Sequence, residues 1–240
     1  MMAGRHVGLL GGTFDPVHLG HLGAALAARE ALSLERVLLI PSNVPPHRPS
    51  GPEASGAHRL AMVSLAVGPI DGLEASDLEL RRDGPSYSAM TLRTLHAEGL
   101  SPTELYFITG ADAFAEIATW REFPGILDLA HFAVIARPGH DFRALRERLP
   151  DLASRMRTPS RLRDAGAARQ GEQEPSTDGA GAAGTAIWLV EARTPDVSST
   201  EIRDRIRRGQ SLAGRVPPLV ERYILRHGLY GPPGAPGRGA

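Results

Sequence analysis

Five short apolar runs punctuate the chain: HVGLL (6–10), RVLLIP (36–41), ELYFITG (104–110), HFAVIAR (131–137) and AIWLVEA (186–192). Each is rich in Val, Leu and Ile and short, the pattern of a strand covered on both faces. Between them, LGHLGAALAAREAL (19–32), AHRLAMVSLAV (57–67), SYSAMTLRTLHAEG (86–99) and DAFAEIATW (112–120) carry apolar residues at helical spacing. Strands joined through helices pair in parallel, so the expected fold is α/β, a doubly wound parallel sheet with helices on both faces. Such sheets bind ligands beyond the carboxyl ends of their strands, which directs the search to the residues just after each run.

The 240 residues and 42% hydrophobic content suit one domain, expected over residues 1–230. With 22% charged residues and a formal net charge of zero, no overall field draws in nucleic acid or an anionic membrane, so any anion site must be local. The absence of cysteine excludes disulfides, thiolate zinc sites and cysteine nucleophiles, and suits a cytoplasmic location. No stretch approaches the roughly 18 apolar residues of a membrane helix. Residues 155–185, poor in large apolar side chains, are expected to hold a flexible insertion, and GPPGAPGRGA (231–240) a disordered tail.

Behind the first run stands GGTFDPVHLGH (11–21), in which Gly11 and Gly12 turn the chain and a helix starts near His18. Glycines let backbone approach a ligand, and the free amides of a helix's first turn favour an anion. His18 and His21, three apart, share one helical face and can donate to phosphate oxygens. Two histidines could also hold a metal, but no third ligand at suitable spacing accompanies them, and no metal site is expected from the protein's own side chains.

A second motif, VSSTEIRDRIRRGQ (197–210), opens with a capping box of Ser198 and Glu201 and stops at Gly209. Ser198, Ser199, Thr200 and the amides of this helix start form either a simple cap or a second phosphate cradle, with Arg203 one turn in as a fork-shaped cation.

Together the two motifs, roughly 180 residues apart, resemble those of the nucleotidyltransferase superfamily and, within it, the nicotinate-nucleotide adenylyltransferases. His18, Leu19, Gly20 and His21 match the H-x-G-H element; SSTEIR matches the S-S-T-x-I-R motif that holds the triphosphate of ATP. The resemblance runs from Val7 to Tyr230, where PPLVERYILRHGLY (217–230) matches a small closing helix, and it implies a Rossmann-like sheet. His18, His21 and Arg203 are then the expected catalytic residues, and Gly11, Gly12, Thr13, Phe14, Arg48, Gly110, Asp112, Ser198, Ser199 and Thr200 the expected ATP contacts. PSNVPPHR (41–48) resembles the family's substrate loop through Asn43 and Arg48, with arginine where lysine is usual. RRDGPSYSAMTL (81–92) resembles the segment whose amides at Ser86, Tyr87 and Ser88 receive the pyridine carboxylate, with Ser88 replacing threonine. Trp120 would stack on the pyridine ring, where core packing is the alternative, and Arg137 would face the acceptor phosphate.

The resemblance implies ATP and nicotinate mononucleotide as substrates, magnesium travelling with ATP, no nucleic-acid or membrane partner, and a homo-oligomer as an open option. A nicotinamide mononucleotide or other nucleotidyltransferase and a pyridine-nucleotide sensor without turnover are the alternatives.

Overall fold

A computed structural model describes residues 6–46, 51–136, 142–159 and 184–231. Arg48 and Arg137, most of the expected insertion and the Pro/Gly tail lie outside the described residues.

A seven-stranded sheet forms the centre, in the order β3-β2-β1-β4-β5-β7-β6. Its strands are β1 (Val7–Gly12), β2 (Arg36–Pro41), β3 (Leu73–Ala75), β4 (Leu105–Gly110), β5 (His131–Ala136), β6 (Met156–Arg157) and β7 (Ile187–Glu191). Every pairing is parallel, from Val7 beside Arg36 and Leu105 to Phe132 beside Ile187. The chain runs outward from β1 to β3, then returns to start β4 on the other side of β1. That reversal between β1 and β4 is the switch point at which open α/β sheets leave a crevice.

Successive residues along each strand serve opposite faces, as the period of two requires. Leu10, Leu39 and Ile108 join a core with α1 (Leu19–Ala31), α2 (Gly56–Val67), α6 (Ser199–Arg207) and α7 (Pro218–Arg226). Leu9, Ile40 and Phe107 join the other, beneath α3 (Ser88–Ala97), α4 (Ala111–Phe114) and α5 (Phe142–Arg148). Both faces of the sheet are thus covered, and no described helix is long and apolar enough to cross a membrane.

Three expectations change. The single helix over 112–120 is instead the four-residue α4 followed by a 3₁₀ turn, Ile117–Thr119. Phe114 and Ile117 are fully buried three residues apart, a spacing that a 3₁₀ turn satisfies as well as an α-helix. The short strands β3 and β6 add to the five apolar runs; neither carries enough apolar residues to show a pattern. Finally, the ends of the 155–185 segment belong to the sheet layer: Met156–Arg157 pairs with β7, and Arg155 donates to the Leu127 carbonyl at 2.7 Å and to Thr185 Oγ1 at 2.6 Å.

Candidate active site

At the end of β1 the chain turns through Thr13 to Val17 and enters α1 with His18 as its N-cap, in an extended conformation. The backbone N–H of His18 donates to Nδ1 of His21 at 3.2 Å, and the two imidazoles stack with centroids 3.6 Å apart and planes 19° from parallel. A ring whose Nδ1 accepts a hydrogen bond carries its proton on Nε2, so His21 presents a donor to the cleft. Phe14 braces the same ring edge-on at 4.9 Å. The glycine between the histidines is a steric necessity, since a Cβ on Gly20 would lie 3.0 Å from His18 Nδ1 and 3.2 Å from the Pro195 carbonyl.

Burial lowers His18 from 6.5 to about 4, only partly offset by the Glu201 charge. His21 is held well below its ordinary value, first by burial and then by His18. Near neutral pH both are therefore uncharged hydrogen-bond donors, and the site recognises an anion by positioned N–H groups.

A cluster of ionic side chains packs beneath the turn and bonds to its backbone. Asp15, with no exposed surface, accepts the backbone N–H groups of Glu53 at 2.8 Å and Ala54 at 3.0 Å and the Tyr230 hydroxyl at 2.9 Å. Arg59 donates to the Thr13 carbonyl at 2.8 Å and to the Ala54 carbonyl at 3.1 Å. Arg203 donates to the Asp15 carbonyl at 2.7 Å, and its Nε lies 2.8 Å from Glu53, which also pairs with Arg207. Sequence reasoning missed Asp15, Glu53, Arg59 and Tyr230. A signal existed for Arg59, which shares a helical face with Met62, Val63 and Ala66 and so needs partners in the core.

The expected residues of the second motif also support the turn. Ser198 caps α6 by accepting the Glu201 N–H at 3.1 Å, Ser199 donates to the Pro16 carbonyl at 2.9 Å, and Thr200 accepts from Arg203 at 3.4 Å. Arg203 is buried, with its guanidinium turned onto the Asp15 backbone and Glu53. Phe14 is likewise buried beneath His21 and presents no side-chain surface to a ligand.

Two cavities of about 850 and 450 Å³ open at the switch point and share His21, Thr109 and Gly110 in their walls. The larger is bounded by Gly11, Gly12, Thr13, the Ser86–Tyr87–Ser88 start of α3, and Trp120; the smaller by His18, Gly20, Asp112 and the 194–197 segment. The partly buried Trp120 indole packs edge-on to Phe107 at 5.7 Å and also lines the larger cavity. Asn43 braces this wall, donating its side-chain N–H to the Arg82 carbonyl at 2.7 Å and its backbone N–H to Ser86 Oγ at 2.8 Å.

Residues 9–205 match the cytidylyltransferase-like family. A probable nicotinate-nucleotide adenylyltransferase of Desulfatibacillum aliphaticivorans is 42% identical over 232 residues, covering 93% of this chain and 99% of its own. One from Chromohalobacter salexigens is 42% identical over 224 residues, covering 93% and 95%. The chain belongs to the nicotinate-nucleotide adenylyltransferase family. Among solved structures, the nicotinic acid mononucleotide adenylyltransferase of Plasmodium falciparum complexed with NaAD superposes with a TM-score of 0.64 at 16% identity, covering 93% of this chain and 96% of its own. At that identity the likeness speaks to fold alone. It agrees with the doubly wound parallel sheet that strand-helix alternation predicts and with the Rossmann-like fold that the resemblance implies.

Proposed function

We propose that the protein transfers the adenylyl group of ATP to nicotinate mononucleotide, giving deamido-NAD and pyrophosphate. The observation that carries this reading is the pair of adjoining cavities that meet at His21, each sized for part of a nucleotide. The larger, with Trp120 and the start of α3, suits the pyridine acceptor, and the smaller suits the adenosine of ATP. Their shared wall at His21, Thr109 and Gly110 then brings the acceptor phosphate to the α-phosphorus.

An oxygen of the acceptor's 5′-phosphate attacks that phosphorus in line, the bond to the bridging β-phosphate oxygen breaks, and pyrophosphate leaves with the electron pair. The attacking phosphate is already ionised at neutral pH, so the chain needs neither a strong base nor a covalent nucleophile. His21 donates from Nε2 to the transferring and leaving oxygens, and His18 stacks against it to hold the ring. Rate arises from alignment and from donors already in place before charge develops. Gly11, Gly12 and Thr13 line the phosphate path, and Asp112 lies on the adenosine side. Ser198, Ser199, Thr200 and Arg203 act by fixing α6 against the turn.

Magnesium would reach the site on the triphosphate of ATP. Bound there, it would neutralise charge on the departing pyrophosphate.

Steady-state pyrophosphate release with ATP, magnesium and nicotinate mononucleotide tests the proposal, beside nicotinamide mononucleotide and pantetheine phosphate. Turnover favouring nicotinate mononucleotide is expected. Preference for another acceptor would overturn the acceptor assignment, and ATP binding without turnover of any acceptor would show a sensor.

A further inference from the structure

The walls of the larger cavity contain three acidic or guanidinium side chains: Glu79, Glu116 and Arg121. Two are committed. Glu79 is buried and accepts from Thr91 Oγ1 at 2.5 Å, and Glu116 pairs with Arg148. Arg121 differs. Among the described residues its guanidinium has no carboxylate partner and rests over the Tyr87 ring, 4.6 Å from the centroid. An aromatic face holds a guanidinium in place without neutralising it, so its donors stay available to a ligand.

Tyr87 is also the residue that precedes α3, which starts at Ser88. The partial positive charge of that ten-residue helix's N-terminus and the Arg121 cation therefore flank the same wall, beside the Trp120 indole. An acceptor ring lying against Trp120 meets two positive features at its edge. A ring carboxylate gains from both, whereas a neutral carboxamide of the same shape gains little and leaves its own N–H groups facing donors.

We propose that Arg121 is a specificity-determining residue, which favours an acceptor whose pyridine ring bears a carboxylate over one bearing a carboxamide. The inference rests on the adenylyl-transfer reading above. It adds a side-chain charge to a wall where the backbone N–H groups of Ser86 and Tyr87 are already taken by the Val44 and Pro85 carbonyls, at 2.9 and 3.2 Å.

The test is kcat and KM for nicotinate and nicotinamide mononucleotides, measured on the full chain with saturating ATP and magnesium, for wild type, Arg121→Gln, Arg121→Met and Arg121→Lys. Arg121→Gln is expected to raise KM for the nicotinate form about tenfold, about 1.4 kcal/mol, and to leave the nicotinamide form within about twofold and the KM for ATP unchanged. Arg121→Met, which keeps a side chain packed on the Tyr87 ring, should behave like Arg121→Gln, and Arg121→Lys should restore most of the preference. Equal losses for both acceptors would mean that the residue only props up Tyr87, and an unchanged preference would mean that its charge is not read; either overturns the inference. Wild-type protein inert toward both acceptors would overturn the proposed function and this inference with it, a result distinct from an active enzyme whose preference ignores residue 121.

Discussion

Replacing Tyr230 by phenylalanine deletes a single oxygen from the latch that joins the segment after α7 to the turn below the histidines. That hydroxyl donates to Asp15 Oδ1 at 2.9 Å, and the residue is only 7% exposed. A hydrogen bond to a charged acceptor contributes about 1.5–3 kcal/mol, so Tyr230→Phe should lose about 2 kcal/mol in urea unfolding at pH 8. The loss should depend on pH in a defined direction. Burial first, and then the Asp15 carboxylate, raise the phenol above its ordinary 10.0, so the folded protein retains a proton that the unfolded chain releases. The stabilisation is complete below pH 10 and is lost as pH rises toward the folded value. For a phenol that stays protonated when folded, linkage makes the loss between pH 9 and 11 about 1.4 kcal/mol. The sequence contains neither lysine nor cysteine, so tyrosines dominate this range. Burial also raises Tyr106, but it is present in both proteins and cancels in the comparison. The stability gap between wild type and variant should therefore narrow from about 2 kcal/mol at pH 8 to about 0.6 kcal/mol at pH 11. A gap that stays constant over this range would refute the reasoning, because it would mean that the hydroxyl is not held against the carboxylate.

Three further outcomes follow from the same geometry. His21→Asn keeps an oxygen able to accept the His18 N–H but removes the Nε2 donor, so pyrophosphate release should fall about 10²–10³-fold while the urea midpoint barely moves; loss of folding would mark His21 as a core residue instead. Gly20→Ala sets a Cβ 3.0 Å from His18 Nδ1 and 3.2 Å from a carbonyl oxygen, so the stacked pair must shift and kcat/KM should drop at least about tenfold; an unchanged value would show that the ring stack is not needed. His18 falls from 6.5 to about 4, so the unfolded chain takes up a proton there that the folded chain refuses, and stability declines as pH drops from 6.5 toward 4. This group accounts for about 3 kcal/mol of that decline, and unfolding of His18→Gln from pH 7 to 4.5 should follow a correspondingly shallower curve.

The sheet was legible in the sequence because a parallel strand covered on both faces must be apolar at nearly every position. RVLLIP became β2 with its boundaries intact, and HFAVIA became β5. The edge strand β3 was not legible: Leu-Glu-Ala offers one buried residue in three, and its place is set by pairing with β2. The 112–120 stretch failed for another reason. Its alanines raise helical propensity at no particular face, and tertiary packing of Phe114 and Ile117 then chose a broken path that carries Trp120 to the cavity.

The site was legible at His18 and His21 because spacing within one helical turn is a local property, and the sequence states it directly. What holds those rings in place is not local. Asp15 meets Arg203 across 188 positions and Tyr230 across 215, distances at which no periodicity or cap signal connects residues. For the same reason a motif cannot separate residues that face a ligand from those that hold them. Ser199 and Arg203 read as phosphate ligands, and in the structure they also bond to Pro16, Asp15 and Glu53. This arrangement has a chemical logic. Uncharged imidazoles can only act on a phosphate through geometry, so their turn must be fixed before substrate arrives. A buried carboxylate that binds two backbone amides and a phenol, beside a second-motif arginine, fixes it more firmly than a flexible loop could.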